Sequence, residues 1–232
     1  MKNYMTKEFL NQTLMGPNAL TLLEEAMSYV KTANAERVLD LGCGMGLTSM
    51  YLADHTKAQI YAQDLWIPAA DNFKRFCKFG FETRITPIHA DANDTPFADD
   101  FFDAVFSIDS YHYFGRNEEY LDKNLARLVK KGGNIVICIP GFKQEFDVLP
   151  DAIFKSWTAE DMETIFCIAR WKEILNHSTL TEITSITEMN CCDESWKDWL
   201  ATDNPYAISD RPAMEAGAGD YMNMICAVLK RI

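Results

Sequence analysis

The chain has 232 residues, of which 48% are hydrophobic and 24% are charged, and its formal net charge is −12 at pH 7. This length suits one domain, and the composition is that of an ordinary globular protein. The longest basic run is the pair Lys130-Lys131, which argues against nucleic acid as a partner, because phosphate binding draws on clustered cations. No apolar run reaches the roughly 20 residues of a membrane span, and residues 1–8 lack the apolar core of an export signal. These features predict a cytoplasmic protein.

Apolar periodicity and turn signals predict strands and helices that alternate along most of the chain. Pro17 can occupy the first turn of an opening helix that reaches Val30. The predicted strands cover residues 36–41, 59–63, 85–89, 102–108, 134–139, 182–188 and 221–230. Further helices are predicted at 46–55, 118–130, 158–176 and 193–202, with an aromatic-rich one that ends at Gly80. Such alternation is typical of a parallel sheet covered by helices on both faces.

The most informative segment is V-L-D-L-G-C-G-M-G, residues 38–46. Apolar residues lead to Asp40, glycines follow at every second position, and a helix-compatible run begins at Leu47. This pattern is typical of a buried strand, a tight turn without side chains and a helix start. A bare backbone lets a ligand lie against the main chain, and the start of a helix offers unpaired N–H donors. The segment therefore predicts a site for a small ligand.

The glycine spacing distinguishes between ligands. The dinucleotide fingerprint is G-x-G-x-x-G with an acid about 20 residues further on, whereas this chain has G-x-G-x-G after Asp40. A carboxylate at the mouth of the turn suits a cationic ligand and repels a pyrophosphate. Met45 also fills space that a pyrophosphate-binding turn keeps small. An NAD-dependent oxidoreductase is therefore the less favoured alternative.

The segment resembles the first motif of the class I S-adenosylmethionine (SAM)-dependent methyltransferases, hydrophobic-hydrophobic-D-x-G-x-G-x-G. Residues 96–103, P-F-A-D-D-F-F-D, resemble a second stretch of many small-molecule methyltransferases. The likeness covers residues 35–140 and is greatest to the ubiquinone/menaquinone C-methyltransferases and the cyclopropane-fatty-acid-synthase-like enzymes. It implies an α/β, Rossmann-like fold: a seven-stranded, mostly parallel sheet with helices on both faces and an antiparallel last strand.

The resemblance also implies SAM as cofactor, S-adenosylhomocysteine (SAH) as product, and a set of contacts. Asp64, which follows the second strand, would accept both ribose hydroxyls, since a carboxylate has two oxygens rich in lone pairs. Asp91 would meet the adenine amine, and Asp40 would serve the cationic methionine end through Gly42 and water, without a direct bond. Trp66 is left open between adenine stacking and the core. The implied cofactor contacts are Asp40, Gly42, Gly44, Gly46, Asp64, Leu65, Asp91, Ala92 and Ser107.

The segment after the fourth strand, residues 110–114, is expected to face the transferred methyl group. Its aromatic side chains can exclude water and stack on an acceptor. His112 is the leading candidate for a general base because its unperturbed pKa lies near neutrality, and Tyr111 is the second catalytic candidate. A packing role for His112 is the alternative.

The sequence thus predicts an enzyme of the EC 2.1.1 type that methylates a small-molecule acceptor. The alternative is a SAM-binding sensor or scaffold, in which aromatic side chains would fill the space beside the sulfonium. Residues 1–34 are expected to form a lid and the first helix. Residues 35–232 are expected to form the methyltransferase domain, with acceptor-side elements in 141–220. Seven cysteines without C-x-x-C spacing predict reduced thiols and no metal site, and a homodimer is left open.

Overall fold

The computed structural model describes residues 3–232; Met1 and Lys2, at the start of the expected lid, lie outside it. The strands are β1 Arg37–Leu41, β2 Gln59–Asp64, β3 Ile85–His89, β4 Phe102–Ile108, β5 Val129–Phe142, β6 Phe166–Cys167, β7 Thr181–Glu188 and β8 Met222–Arg231. The α-helices are α1 Lys7–Thr13, α2 Ala19–Ser28, α3 Leu47–His55, α4 Ala69–Lys78, α5 Ala159–Met162, α6 Ile168–Asn176, α7 Cys192–Leu200 and α8 Pro205–Glu215. None of the described helices is both long and apolar enough to cross a bilayer.

The strands form one sheet in the order β3-β2-β1-β4-β5-β8-β7, with the two-residue β6 paired to β5 beside that path. The pairs from β3 to β5 are parallel. β8 runs antiparallel to both of its neighbours, β5 and β7. The predicted fold class, with its antiparallel last strand, is confirmed. The strand beyond the predicted seven is the short β6.

The sheet separates two apolar cores because successive side chains of a strand point to opposite faces. Val38 belongs to the core on one face, together with Leu22 of α2 and Met50 of α3. Leu39 belongs to the core on the other face, together with Trp171 of α6. Helices therefore cover both faces, and the edge formed by the strand ends stays free for a site.

Several predicted boundaries in the first 30 residues are wrong. α1 has no predicted counterpart. The next helix, α2, begins at Ala19, because the side chain of Asn18 caps it by accepting a hydrogen bond from the Leu20 N–H at 3.1 Å. Pro17 thus lies before the cap, outside the first turn.

The predicted helix over 118–130 is wrong at its end. A π-helix over Leu121–Leu125 and a 3-10 turn over Ala126–Leu128 lead directly into β5, which begins at Val129. Gly132, interpreted with Gly133 as a helix stop, does have a positive φ of 78°. It lies in an irregularity of β5 where the register with β4 shifts. The left-handed glycine bends a strand, which the sequence pattern cannot distinguish from a helix end.

The predicted helix over 158–176 is divided in two. Thr158 caps its start as expected, in a capping box with Asp161. That helix, α5, ends at Met162, and the chain then pairs with β5 as β6 before α6 begins at Ile168. Pairing with the sheet edge outweighs the local helical signal here. α8 has no predicted counterpart either.

Candidate cofactor and acceptor site

A cavity of about 270 Å³ opens where β1 to β4 end. Its walls come from the loops that follow these strands, residues 41–45, 63–66, 90–93 and 108–110. Residues 13–17, called the covering segment below, lie over it between α1 and α2. Open α/β sheets bind ligands outside the carboxyl ends of their strands, so the cavity lies where the fold places a site.

The three glycines after β1 are all in the left-handed region, with φ of 75° at Gly42, 51° at Gly44 and 80° at Gly46. Gly42 and Gly44 line the cavity. A Cβ on Gly42 would collide with Ser110, and one on Gly44 would lie 3.0 Å from the Met15 sulfur. Gly46 is the N-cap of α3 and is not part of the cavity wall. The alternating spacing therefore serves two purposes: an open wall and a tight entry into the helix.

Asp64 joins the end of β2 to the glycine loop. Its Oδ2 accepts a hydrogen bond from the Gly44 N–H at 2.8 Å, and its Oδ1 accepts from the N–H groups of Trp66 and Ile67 at 2.7 and 2.9 Å. The side chain is buried and lines the cavity. Since a carboxylate oxygen can accept about two hydrogen bonds, Oδ2 retains capacity for a ligand hydroxyl.

Asp40 is not part of the cavity wall. Its Oδ2 accepts hydrogen bonds from Thr48 and Ser49 at 2.7 and 2.5 Å, and its Oδ1 has no partner within residues 3–232. Burial raises the pKa of this carboxyl to about 6. A direct cofactor contact from Asp40 does not fit this geometry; the side chain fastens the start of α3 beneath the glycine loop.

The loops after β2 and β3 supply four further predicted residues. Asp91 and Ala92 line the cavity, and the Asp91 carboxylate accepts two hydrogen bonds from Asn93, at 2.8 and 2.9 Å. Leu65 and Trp66 are also on the wall. Trp66 is 61% exposed, which excludes the core position that the sequence left open for it.

Ser107 is fully buried and lies behind the wall. Its hydroxyl shares a hydrogen bond of 2.7 Å with that of Ser110, which in turn donates to the Leu41 carbonyl at 2.9 Å. Ser110 lines the cavity instead. A direct cofactor contact from Ser107 is therefore corrected to a supporting position.

Tyr111 and His112, the predicted catalytic residues, both point away from the cavity. Tyr111 packs between Tyr120 and Trp171 in the core. His112 is 4% exposed, and burial, reinforced by the charge of Arg116, lowers its pKa to about 3. The segment is one 3-10 turn, whose successive side chains point about 120° apart. The next residue, Tyr113, is the one that this turn directs to the wall.

Asp109, at the end of β4, is not among the implied contacts, although the sequence places residues 107–109 near the point of methyl transfer. It lines the cavity in a left-handed conformation with a φ of 56°, which is uncommon outside glycine and typical of functional positions. Its carboxylate accepts no hydrogen bond from any described residue. Shielding from bulk solvent, together with the charge of Asp210, raises its pKa to about 7. An acid closing a strand is the same signal that pointed to Asp64.

Residues 38–133 match the family model described as a methyltransferase domain. This segment of the chain is a methyltransferase domain. The matched residues run from β1 into β5 and include the glycine loop, Asp64, Asp91 and Asp109. The family predicted from residues 38–46 is confirmed.

Proteins similar to the methyltransferase domain act on diverse acceptors, according to their names. The demethylmenaquinone methyltransferase of Clavibacter sepedonicus is 34% identical over 127 residues, 52% of this chain and 50% of that protein. The chloroplastic tocopherol O-methyltransferase of Arabidopsis thaliana is 25% identical, over 82% of this chain and 56% of that protein. The chain thus spans about half the length of the curated relatives it matches.

Solved structures share the fold of the methyltransferase domain. Geranyl diphosphate C-methyltransferase from Streptomyces coelicolor A3(2), in complex with Mg2+, geranyl-S-thiolodiphosphate and SAH, superposes with a TM-score of 0.73 at 14% identity. The match covers 92% of this chain and 76% of that one. It extends the shared fold well beyond the 38–133 segment.

Proposed function

We propose that the protein transfers a methyl group from SAM to a small-molecule acceptor bound in the cavity. The observation that carries this proposal is that the matched methyltransferase domain itself builds the cavity walls. The bare backbone of the glycine loop and the one spare acceptor site on Asp64 Oδ2 fit a nucleoside whose sugar offers a hydroxyl there.

The proposed cofactor contacts on the wall are Gly42, Gly44, Asp64, Leu65, Asp91 and Ala92. In this arrangement Asp64 accepts one ribose hydroxyl at Oδ2, and Asp91 with the backbone of Ala92 receives the adenine. Asp40, Gly46 and Ser107 are not on the wall and instead support the residues that form it. The bound cofactor supplies an electrophilic methyl group, so the protein contributes mainly alignment of the acceptor and exclusion of water.

The covering segment is suited to excluding water. Asn204 of the loop before α8 donates a hydrogen bond from Nδ2 to the Leu14 carbonyl at 3.2 Å. Gly16 approaches the Asp109 carboxylate so closely that a Cβ there would collide with it. We therefore assign the lid role, expected for residues 1–34, to this segment and the helices that flank it.

A sensor or scaffold without catalysis fits the cavity less well. In that alternative, Tyr111, Tyr113 and Trp66 would fill the space beside the sulfonium. Tyr111 is instead part of the core, while Trp66 and Tyr113 are 61% and 53% exposed at the rim. The open volume between them leaves room for an acceptor.

Isothermal titration calorimetry with SAH and NAD tests the proposal. We expect SAH to bind and NAD to give no heat, and Asp64→Ala to weaken SAH binding markedly. Tight NAD binding without an SAH signal would refute a methyltransferase. A cytoplasmic location is part of the proposal and is supported by seven free cysteines within the described chain; a mass shift from disulfides in protein isolated from cells would contradict it.

A further inference from the structure

The charge of the cavity wall has a single sign. Among the described residues, the charged side chains on the wall are Asp64, Asp91 and Asp109, and no lysine, arginine or histidine is present there. Arg116, which follows residues 110–114, and Arg211 of α8 are not on the wall and bind main-chain carbonyls instead. Arg116 donates to the Glu163 carbonyl at 3.2 Å, and Arg211 donates to main-chain carbonyls of the loop after α7. An anionic acceptor would find no cation here.

The three wall carboxylates are not equivalent. Asp64 is hydrogen-bonded to the backbone and Asp91 to Asn93, and both belong to the nucleoside side. Asp109 has no such partner among the described residues, and the charge of Asp210 acts on it. Asp210 is itself held by the indole N–H groups of two tryptophans. Two carboxylates that repel each other, beside a wall on which no described side chain is basic, are the electrostatic complement of a bound cation.

An aromatic pair completes this part of the wall. The rings of Trp66 and Tyr113 meet edge to face, with centroids 5.2 Å apart and an interplanar angle of 66°. Both side chains are more than half exposed, so each has open ring surface, although the His112 ring packs against Tyr113 with centroids 4.0 Å apart. Cations are attracted to such faces, and the carboxylates of Asp109, Asp161 and Asp210 all act on the Tyr113 hydroxyl.

We infer that the acceptor is an amine, whose nitrogen lies between the carboxylate of Asp109 and the rings of Trp66 and Tyr113. This inference rests on the proposed methyl transfer. An ammonium acceptor gives one proton to the Asp109 carboxylate and becomes a neutral amine. Its nitrogen lone pair then forms a bond to the methyl carbon while the bond from that carbon to sulfur breaks. The electron pair stays on sulfur, and the product leaves as a methylated ammonium.

Asp109→Asn is the decisive variant, with Glu82→Gln as its control. Asparagine tolerates the left-handed backbone of residue 109, so the loop keeps its path while the charge is removed. Glu82 is exposed in the turn before β3, at the other end of the sheet from the cavity. Each variant removes one negative charge, but only one of them does so on the cavity wall.

The first measurement is the affinity ratio of sinefungin to SAH, by calorimetry at pH 8. Sinefungin carries an ammonium group where SAM carries its methylated sulfur, whereas SAH is neutral there. We expect the wild-type protein and Glu82→Gln to prefer sinefungin, and Asp109→Asn to lose about tenfold of that preference, as for a close charge pair. An unchanged ratio in Asp109→Asn would overturn the assignment.

The second measurement titrates three probes of similar shape into the SAH-loaded protein: N-methylbenzylamine (a cation), benzyl methyl ether (neutral) and phenylacetate (an anion). We expect heat from the amine alone, and its loss in Asp109→Asn. Equal heats, tighter binding of phenylacetate, or no heat from any probe would overturn the amine class. SAH binding in the same samples would leave the proposed methyl transfer intact, whereas its absence would count against that function instead.

Discussion

Replacing Asp64 by asparagine tests how the glycine loop and the proposed ribose contact are held. The carboxylate accepts from the Gly44 N–H at one oxygen and from the N–H groups of Trp66 and Ile67 at the other. Asparagine keeps the shape but has one acceptor oxygen and one NH2 group. Keeping the two bonds to Trp66 and Ile67 would turn this NH2 group toward the Gly44 N–H.

The expected magnitudes follow from these contacts. The bond to Gly44 becomes an opposed pair of donors, and the other two lose their charged acceptor. A hydrogen bond to a charged group contributes about 1.5–3 kcal/mol, so we expect the free energy of unfolding to fall by about 2–3 kcal/mol. The ribose hydroxyl at Oδ2 loses the same charged acceptor, and the SAH dissociation constant should rise by about 10- to 100-fold.

Calorimetry with SAH and urea unfolding, at the same temperature, measure the two effects separately. Glu82→Gln is the matched control, because it changes a carboxylate to an amide far from the cavity. A loss of about 2–3 kcal/mol leaves a domain of ordinary stability folded, so binding can be measured in the variant. Reduced stability with an SAH affinity within about twofold of wild type would show that Asp64 orders the loop without touching the nucleoside.

Three further variants test other features. Burial raises the folded-state pKa of Asp40 to about 6, above an unfolded value of about 3.9, so its contribution to the free energy of unfolding declines as pH rises from 4 to 6. Asp40→Asn should reduce that decline by about 3 kcal/mol, measured by urea unfolding at pH 4 to 7. An identical pH profile in the variant would refute the raised pKa. Gly46→Ala places a methyl group 2.5 Å from the Phe76 ring, whereas Gly80→Ala, at a similar φ, meets nothing within 4 Å. We expect the former to cost about 1–3 kcal/mol more than the latter by urea unfolding, and equal losses would contradict the predicted clash. Tyr111→Phe removes a buried hydroxyl that has no partner in the described structure; stability should stay constant or rise by about 1 kcal/mol with unchanged SAH affinity, whereas weaker SAH binding would return Tyr111 to the site.

The strands nearest the site could be predicted almost to the residue. β3 and β4 have the predicted bounds, and β1 and β2 differ from them by one residue. Here the apolar run, the acid or glycine that ends it and the following turn all indicate the same boundary. Further along the chain the local signals conflict with pairing, so the two-residue β6 interrupts a stretch with a helical pattern.

The site could be predicted where a residue's position follows from the end of a strand. Gly42, Asp64 and Asp91 line the cavity for this reason. The direction of a side chain within a short turn depends on the rotation of that turn against the core, which the sequence does not encode locally. Tyr111 and His112 therefore point inward although their neighbours face the cavity.

The placement of β8 between β5 and β7 has a consequence for the nascent chain. Within residues 3–232, β7 pairs with β8 alone, and the edge of β5 opposite β4 is likewise closed by β8. Until residues 222–231 leave the ribosome, the largely apolar β5 and the mixed, partly exposed β7 both have unpaired main-chain groups, a state prone to pairing with other chains. The risk of aggregation during synthesis should thus stay high until residues 222–231 emerge and pair, and a holding chaperone would help most before that point.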